Sequence, residues 1–77
     1  MEDLLKTLIE PLVTDIKTIK IEKFEDGKNF RFLVSVPKED IAKVIGKNGK
    51  MIKAIKNLLK VRAIKDNVFA LVELQEV

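Results

Sequence analysis

Between Ile41 and Leu59 the sequence reads IAKVIGKNGKMIKAIKNLL, and two apolar stripes at helical spacing meet there at a short break. Ile41, Val44 and Ile45 stand at i, i+3, i+4, and Ile52, Ile55, Leu58 and Leu59 repeat the pattern at i, i+3, i+6, i+7. A chain with this stretch is expected to fold two helices around the loop Gly46-Lys47-Asn48-Gly49, with both stripes turned inward. Gly46 falls just past the last periodic residue of the first pattern, where a positive φ is usual. Gly49 opens the second, where a missing Cβ lets another backbone come close. Such a turn leaves N–H groups and the positive end of a helix open to anions.

Charge is segregated on the same stretch. From Ile41 through Lys65 the basic residues are Lys43, Lys47, Lys50, Lys53, Lys56, Lys60, Arg62 and Lys65, with no Asp or Glu among them. The other seven of the fifteen basic residues and all twelve acidic ones lie elsewhere, so this segment is +8 and the remainder −5. The net charge of +3 is modest, and its segregation matters more. A charge run alone describes a solvated helix face. Combined with a glycine loop whose middle residues are Lys47 and Asn48, it points to a polyanionic partner.

Around this centre the chain reads as α-β-β-α-α-β. Asp3 is expected to cap a first helix with Leu5, Leu8, Ile9 and Leu12 inward, Pro11 kinking it or falling in a last turn that tolerates the missing N–H. Thr18 to Phe24 reads as a strand, and Glu25-Asp26-Gly27-Lys28 as a hairpin turn. In the partner strand, Asn29 to Val36, Phe30, Phe32, Val34 and Val36 alternate with Arg31, Leu33 and Ser35, so both phenylalanines are assigned to the core. Pro37 suits the start of a second helix, with Glu39 and Asp40 complementing its dipole. Asp66-Asn67 ends the basic helix, and Val68 to Leu74 closes as an apolar strand. Helices on one face of a three-stranded sheet make an α+β fold. At 77 residues this is expected to be a single domain, 1–77, at the size where one core is marginal.

The run VIGKNGKMIKAI resembles the core of a KH domain, which consists of a helix, a GXXG loop and a second helix. The whole chain is similar to the short stand-alone bacterial KH proteins, the KhpA family of RNA-binding proteins. The likeness takes in the opening LIEPLV segment, the strand pair, VPKEDIAKVIGKNGK and the closing strand. It implies a type II KH arrangement, with the closing strand between two others, and single-stranded RNA clamped by its backbone at the loop, about four nucleotides at a time. It also implies a role as RNA chaperone or post-transcriptional regulator, as a homodimer or as a heterodimer with a longer KH-containing protein. Met51 departs from the small residue expected at its position and is expected to narrow the groove beside the loop.

The expected RNA-binding residues are Gly46, Lys47, Asn48, Gly49, Lys50, Lys53 and Lys43, with Ile45 and Ile52 on the apolar floor. The groove would have the loop and the start of the second helix as one wall and the sheet edge as the other. N–H groups around Asn48 to Met51 would meet phosphate oxygens. Bases would turn toward Ile41, Val44, Ile45 and Ile52, some of which must serve the core instead. With no exposed aromatic evident and few groove amides, weak sequence preference and strong salt dependence are expected. Leu58, Leu59, Val61, Ala63 and Ile64 exceed what one helix face can hide, and with Leu74 and Val77 they are a candidate dimer interface.

An enzyme is not expected. Ser35 is the only serine, His and Cys are absent, and no carboxylate pair stands in an apolar setting, so neither catalytic residues, cofactor nor metal is assigned. GKNGKM lacks the four-residue gap and the Ser/Thr of a P-loop. The competing readings are a KH-type scaffold for protein contacts and a single-stranded DNA binder. No secretory signal and no membrane span of roughly 18–20 apolar residues is seen, so a cytoplasmic location is expected.

Overall fold

The computed structural model describes residues 1–77. Helix α1 (Glu2–Ile9) starts at Met1 without a side-chain cap, so Asp3 is not the cap but lies in the first turn beside Glu2. Pro11 falls near the start of a 3-10 turn, Glu10–Leu12, that follows the helix, where its missing N–H interrupts nothing. The carboxylate of Asp15 accepts the Lys17 N–H at 2.9 Å and caps a further 3-10 turn, Ile16–Thr18. That turn takes up residues expected to begin the strand, and β1 runs instead from Lys20 to Asp26. Gly27, at φ +61°, and Lys28 join it to β2 (Asn29–Val36), with Asp26 paired to Asn29. Helices α2 (Lys38–Ile45) and α3 (Lys50–Lys65) follow, then β3 (Phe69–Glu76).

The strand order is β1-β2-β3, with β2 antiparallel to β1 and parallel to β3. This corrects the expectation that the closing strand lies in the middle: the central strand is β2, and β3 is an edge. The burial pattern gives the reason. Phe32, Val34 and Val36 of β2 are all buried, whereas β3 buries only Val72 and leaves Phe69 and Leu71 exposed. The α2–α3 pair is the crossover that a parallel β2–β3 pairing needs.

One core joins these elements: Leu5 and Ile9 from α1, Phe32, Val34 and Val36 from β2, Val44 from α2, Ile55 and Leu59 from α3, and Val72 from β3. Phe30 is only partly buried at its margin. The opposite sheet face carries no helix, and there Leu71, Arg31 and Phe24 stand in one register row. Asp40, expected only to complement a helix dipole, is 1% exposed and ties α2 to the segment after α1. Its carboxylate accepts the Thr14 hydroxyl at 2.9 Å and the Thr14 N–H at 3.3 Å, and Lys43 Nζ lies 3.6 Å away. Burial pushes the Asp40 pKa up, but the Thr14 hydrogen bonds and the Lys43 charge outweigh it and hold the carboxyl below its ordinary value.

Candidate nucleic-acid interface

The loop between α2 and α3 is built from three positive-φ residues. Gly46 ends α2 at φ +77°, ψ 172°, its N–H bonded to the Ala42 carbonyl at 2.9 Å. A Cβ at this position would stand 2.5 Å from Met51 Cβ and 2.9 Å from the Met51 nitrogen, so glycine is required by space as well as by φ. Asn48 (φ 58°, ψ 26°) and Gly49 (φ 73°, ψ 14°) follow, both left-handed. Nothing lies within 4 Å of where a Gly49 Cβ would be, so the loop is open to approach there. The Gly49 N–H is taken by the Gly46 carbonyl at 3.2 Å, and that of Lys50 by Lys47. No protein acceptor takes the N–H of Lys47 or Asn48. The free donors are therefore centred at the loop tip, a residue or so earlier than expected.

Electrostatics distinguish this helix end from the others. Helix α1 carries Glu2 and Asp3 in its first turn and α2 carries Glu39 and Asp40, as dipole complementarity favours. Helix α3 has no acidic residue in its first turn and no side-chain cap, and it opens with Lys50 and Lys53. Like charge is thus concentrated at a positive helix end, an arrangement that an external anion would relieve. Of the eight basic residues from Ile41 to Lys65, Lys43 pairs with Asp40 and Arg62 with Asp66. The other six have no carboxylate oxygen within 4 Å, so the field beside the loop is unneutralised. Lys43, expected as a flanking cation, has part of its charge satisfied by Asp40.

Beyond the loop, α3 and the edge strand β3 enclose a groove of about 530 Å³. Lys56, Asn57, Lys60 and Ile64 form its helical wall, and Phe69 to Val72 of the edge strand form the other. Phe69 and Leu71 alternate with the core-facing Ala70 and Val72, so they belong to the helix-free face and border the groove at the strand's outer edge. Lys53, Lys56 and Lys60 share one face at i, i+3, i+7. Among the four apolar candidates, Val44 belongs to the core and Ile41 packs against it, while Ile45 and Ile52 stay outside the core cluster and flank the loop. Met51 does not line this groove. It lies beside the loop, its Cβ and backbone against Gly46.

Asn57, Ile64, Phe69 and Leu71 were not expected here, and the expectation of no exposed aromatic is overturned. Phe69 is 72% and Phe24 42% exposed. The sequence does carry a signal for Phe69: period-two alternation sets it with Leu71, Glu73 and Gln75, against Ala70, Val72 and Leu74. On α3, Leu59 and Ala63 are buried, whereas Leu58, Val61 and Ile64 are half or more exposed.

A family model described as the KH domain of KhpA and KhpB matches residues 2–74. The chain belongs to this family. A protein of Chlamydia pneumoniae named RNA-binding protein KhpA is 36% identical over 76 residues, covering 99% of this chain and 97% of that protein. The protein of the same name from Clostridium acetobutylicum is 32% identical, covering 96% of this chain and 99% of its own length. That of Listeria monocytogenes is 37% identical over 59 residues, 77% of this chain and 78% of that protein. In this KhpA/KhpB KH domain, the matched span contains the GXXG loop, the basic helix face and the α3–β3 groove. No helix is long and apolar enough to cross a membrane.

Proposed function

We propose that this chain is a non-catalytic protein that clamps the backbone of single-stranded RNA at Gly46–Gly49. Family membership supports the reading, as do the names its relatives carry. The observation that carries it is the start of α3, where Lys47, Lys50 and Lys53 surround an uncapped helix end with no acidic neighbour. Phosphates would sit against the free N–H groups of Lys47 and Asn48, with Gly49 leaving room. Lys50, Lys53, Lys56 and Lys60 would hold the following phosphates, and Ile45 and Ile52 would offer apolar surface to bases. The unpaired outer edge of β3 offers backbone donors and acceptors to base edges.

A role as RNA chaperone or post-transcriptional regulator, in the cytoplasm where such RNA is found, follows from this reading. Exposed Leu58 and Val61, which lie outside the groove, support a homodimer, or a heterodimer with a longer KH-containing protein, and two linked modules would raise affinity by avidity. Crosslinking in cells, with sequencing of the attached nucleic acid, tests the reading. RNA recovered on peptides of the loop and α3 is the expected result. Crosslinks only to protein would favour a scaffold, and crosslinks only to DNA the single-stranded DNA alternative.

A further inference from the structure

We propose that Phe69 is a stacking platform for one base at the end of the groove remote from the loop, an inference that rests on the RNA-binding reading above. Helix α3 has 16 residues and is about 24 Å long at ~1.5 Å per residue, and the glycine loop lies at one end of it. Phe69 lies just past the other end. Its backbone is fixed there: the Phe69 N–H bonds to the Lys28 carbonyl at 2.8 Å, and the Val68 N–H to the Ala63 carbonyl at 2.9 Å. The residue is nevertheless 72% exposed, the most exposed large hydrophobic residue of the chain. A fixed backbone under a bare aromatic ring is what base stacking needs.

Charge says what meets the ring. On the groove side stand Lys56 and Lys60, neither with a carboxylate partner. Across β3 lies a second cavity of about 430 Å³, which shares Phe69, Ala70 and Leu71 with the groove and includes Glu25 and Asp26. The cations beside it are committed: Arg31 lies 4.7 Å over the Phe24 ring and 3.8 Å from Glu73, and Lys23 lies 4.7 Å over the Phe30 ring and 3.5 Å from Glu25. Phosphates are therefore favoured along the groove up to Phe69, where the neighbouring hairpin residue Lys28 is a further cation without a carboxylate partner, and disfavoured in the cavity that Glu25 and Asp26 line. A neutral base is the part of a single strand that fits over the boundary, so the platform marks where the bound strand leaves the protein. Because every base has a π-face, it adds affinity with little sequence preference.

The chain has no Trp or Tyr, so Phe69→Trp places a single reporter at the position. Its emission is expected to be quenched on adding single-stranded RNA, with affinity kept. Phe24→Trp, on the committed side, should not respond. Phe69→Ala and Phe69→Leu are each expected to weaken RNA binding by about tenfold or more while leaving its salt slope unchanged. Unaltered affinity in both, with wild-type binding intact, overturns the platform and spares the loop reading. Unaltered affinity together with loss of self-association would assign the ring to a protein interface and likewise overturn it. Wild-type protein that binds no single-stranded RNA would overturn the underlying reading, and the platform with it.

Discussion

Replacing Gly46 with alanine tests whether the loop is built as described. The backbone there, at φ +77° and ψ 172°, lies in a region almost confined to glycine, where other residues are strained by about 1–3 kcal/mol. The new methyl would also sit 2.5 Å from Met51 Cβ, 2.9 Å from its nitrogen and 3.2 Å from its Cα, so the first turn of α3 must shift. Forced overpacking of this kind adds about 1–3 kcal/mol. Together these predict a loss of roughly 3 kcal/mol or more, against a total stability of about 4–12 kcal/mol for 77 residues. Gly49→Ala meets nothing within 4 Å and bears only the left-handed penalty, about 1–2 kcal/mol. Urea denaturation followed by far-UV circular dichroism separates the two, and each kcal/mol corresponds to about 4–8 °C in Tm. Met51→Ala should not rescue Gly46→Ala, because the clashing atoms are Cβ and backbone. Equal destabilisation of the two glycine variants, or rescue by Met51→Ala, would refute the packing argument.

Changing Lys50 and Lys53 to Gln should weaken RNA binding and reduce the slope of log affinity against log salt by about 0.7 for each phosphate no longer neutralised. An unchanged slope would mean that both face only solvent. The Asp40 carboxyl, held low in the fold, contributes stability that is complete above its unfolded pKa of about 3.9 and disappears as pH falls through the folded value. Acid titrations of stability should therefore be shallower for Asp40→Asn, with the gap from wild type widest at neutral pH. Val61→Glu should abolish self-association in sedimentation at micromolar concentration, whereas a wild-type protein that is monomeric throughout would remove the dimer.

The loop is the most legible part of the sequence because its determinants are local. The i, i+3, i+4 stripes, the two glycines and an asparagine tolerant of αL all act within a few residues, and the three positive φ values follow. Sheet order is not legible. An apolar run such as Val68–Leu74 suits a central strand, and only the pairing of β2 with both neighbours reveals that β3 is the edge. The same misassignment hides Phe69, since residues of a central strand are expected to be covered. Within its own helix Asp40 only complements a dipole. Its partner Thr14 lies 26 residues away in sequence, and no local pattern announces a contact of that kind.

The double change Lys47→Asp with Asn48→Asp tests the central claim most directly. It sets two negative charges at the loop tip, where the two unpartnered N–H groups lie, and Asp tolerates the left-handed φ of 58° at position 48. Both sites are exposed, so stability should change little. Fluorescence anisotropy with labelled single-stranded RNA, on protein shown by circular dichroism to be folded, is expected to find no binding. A folded double variant that binds RNA as tightly as wild type would contradict the account.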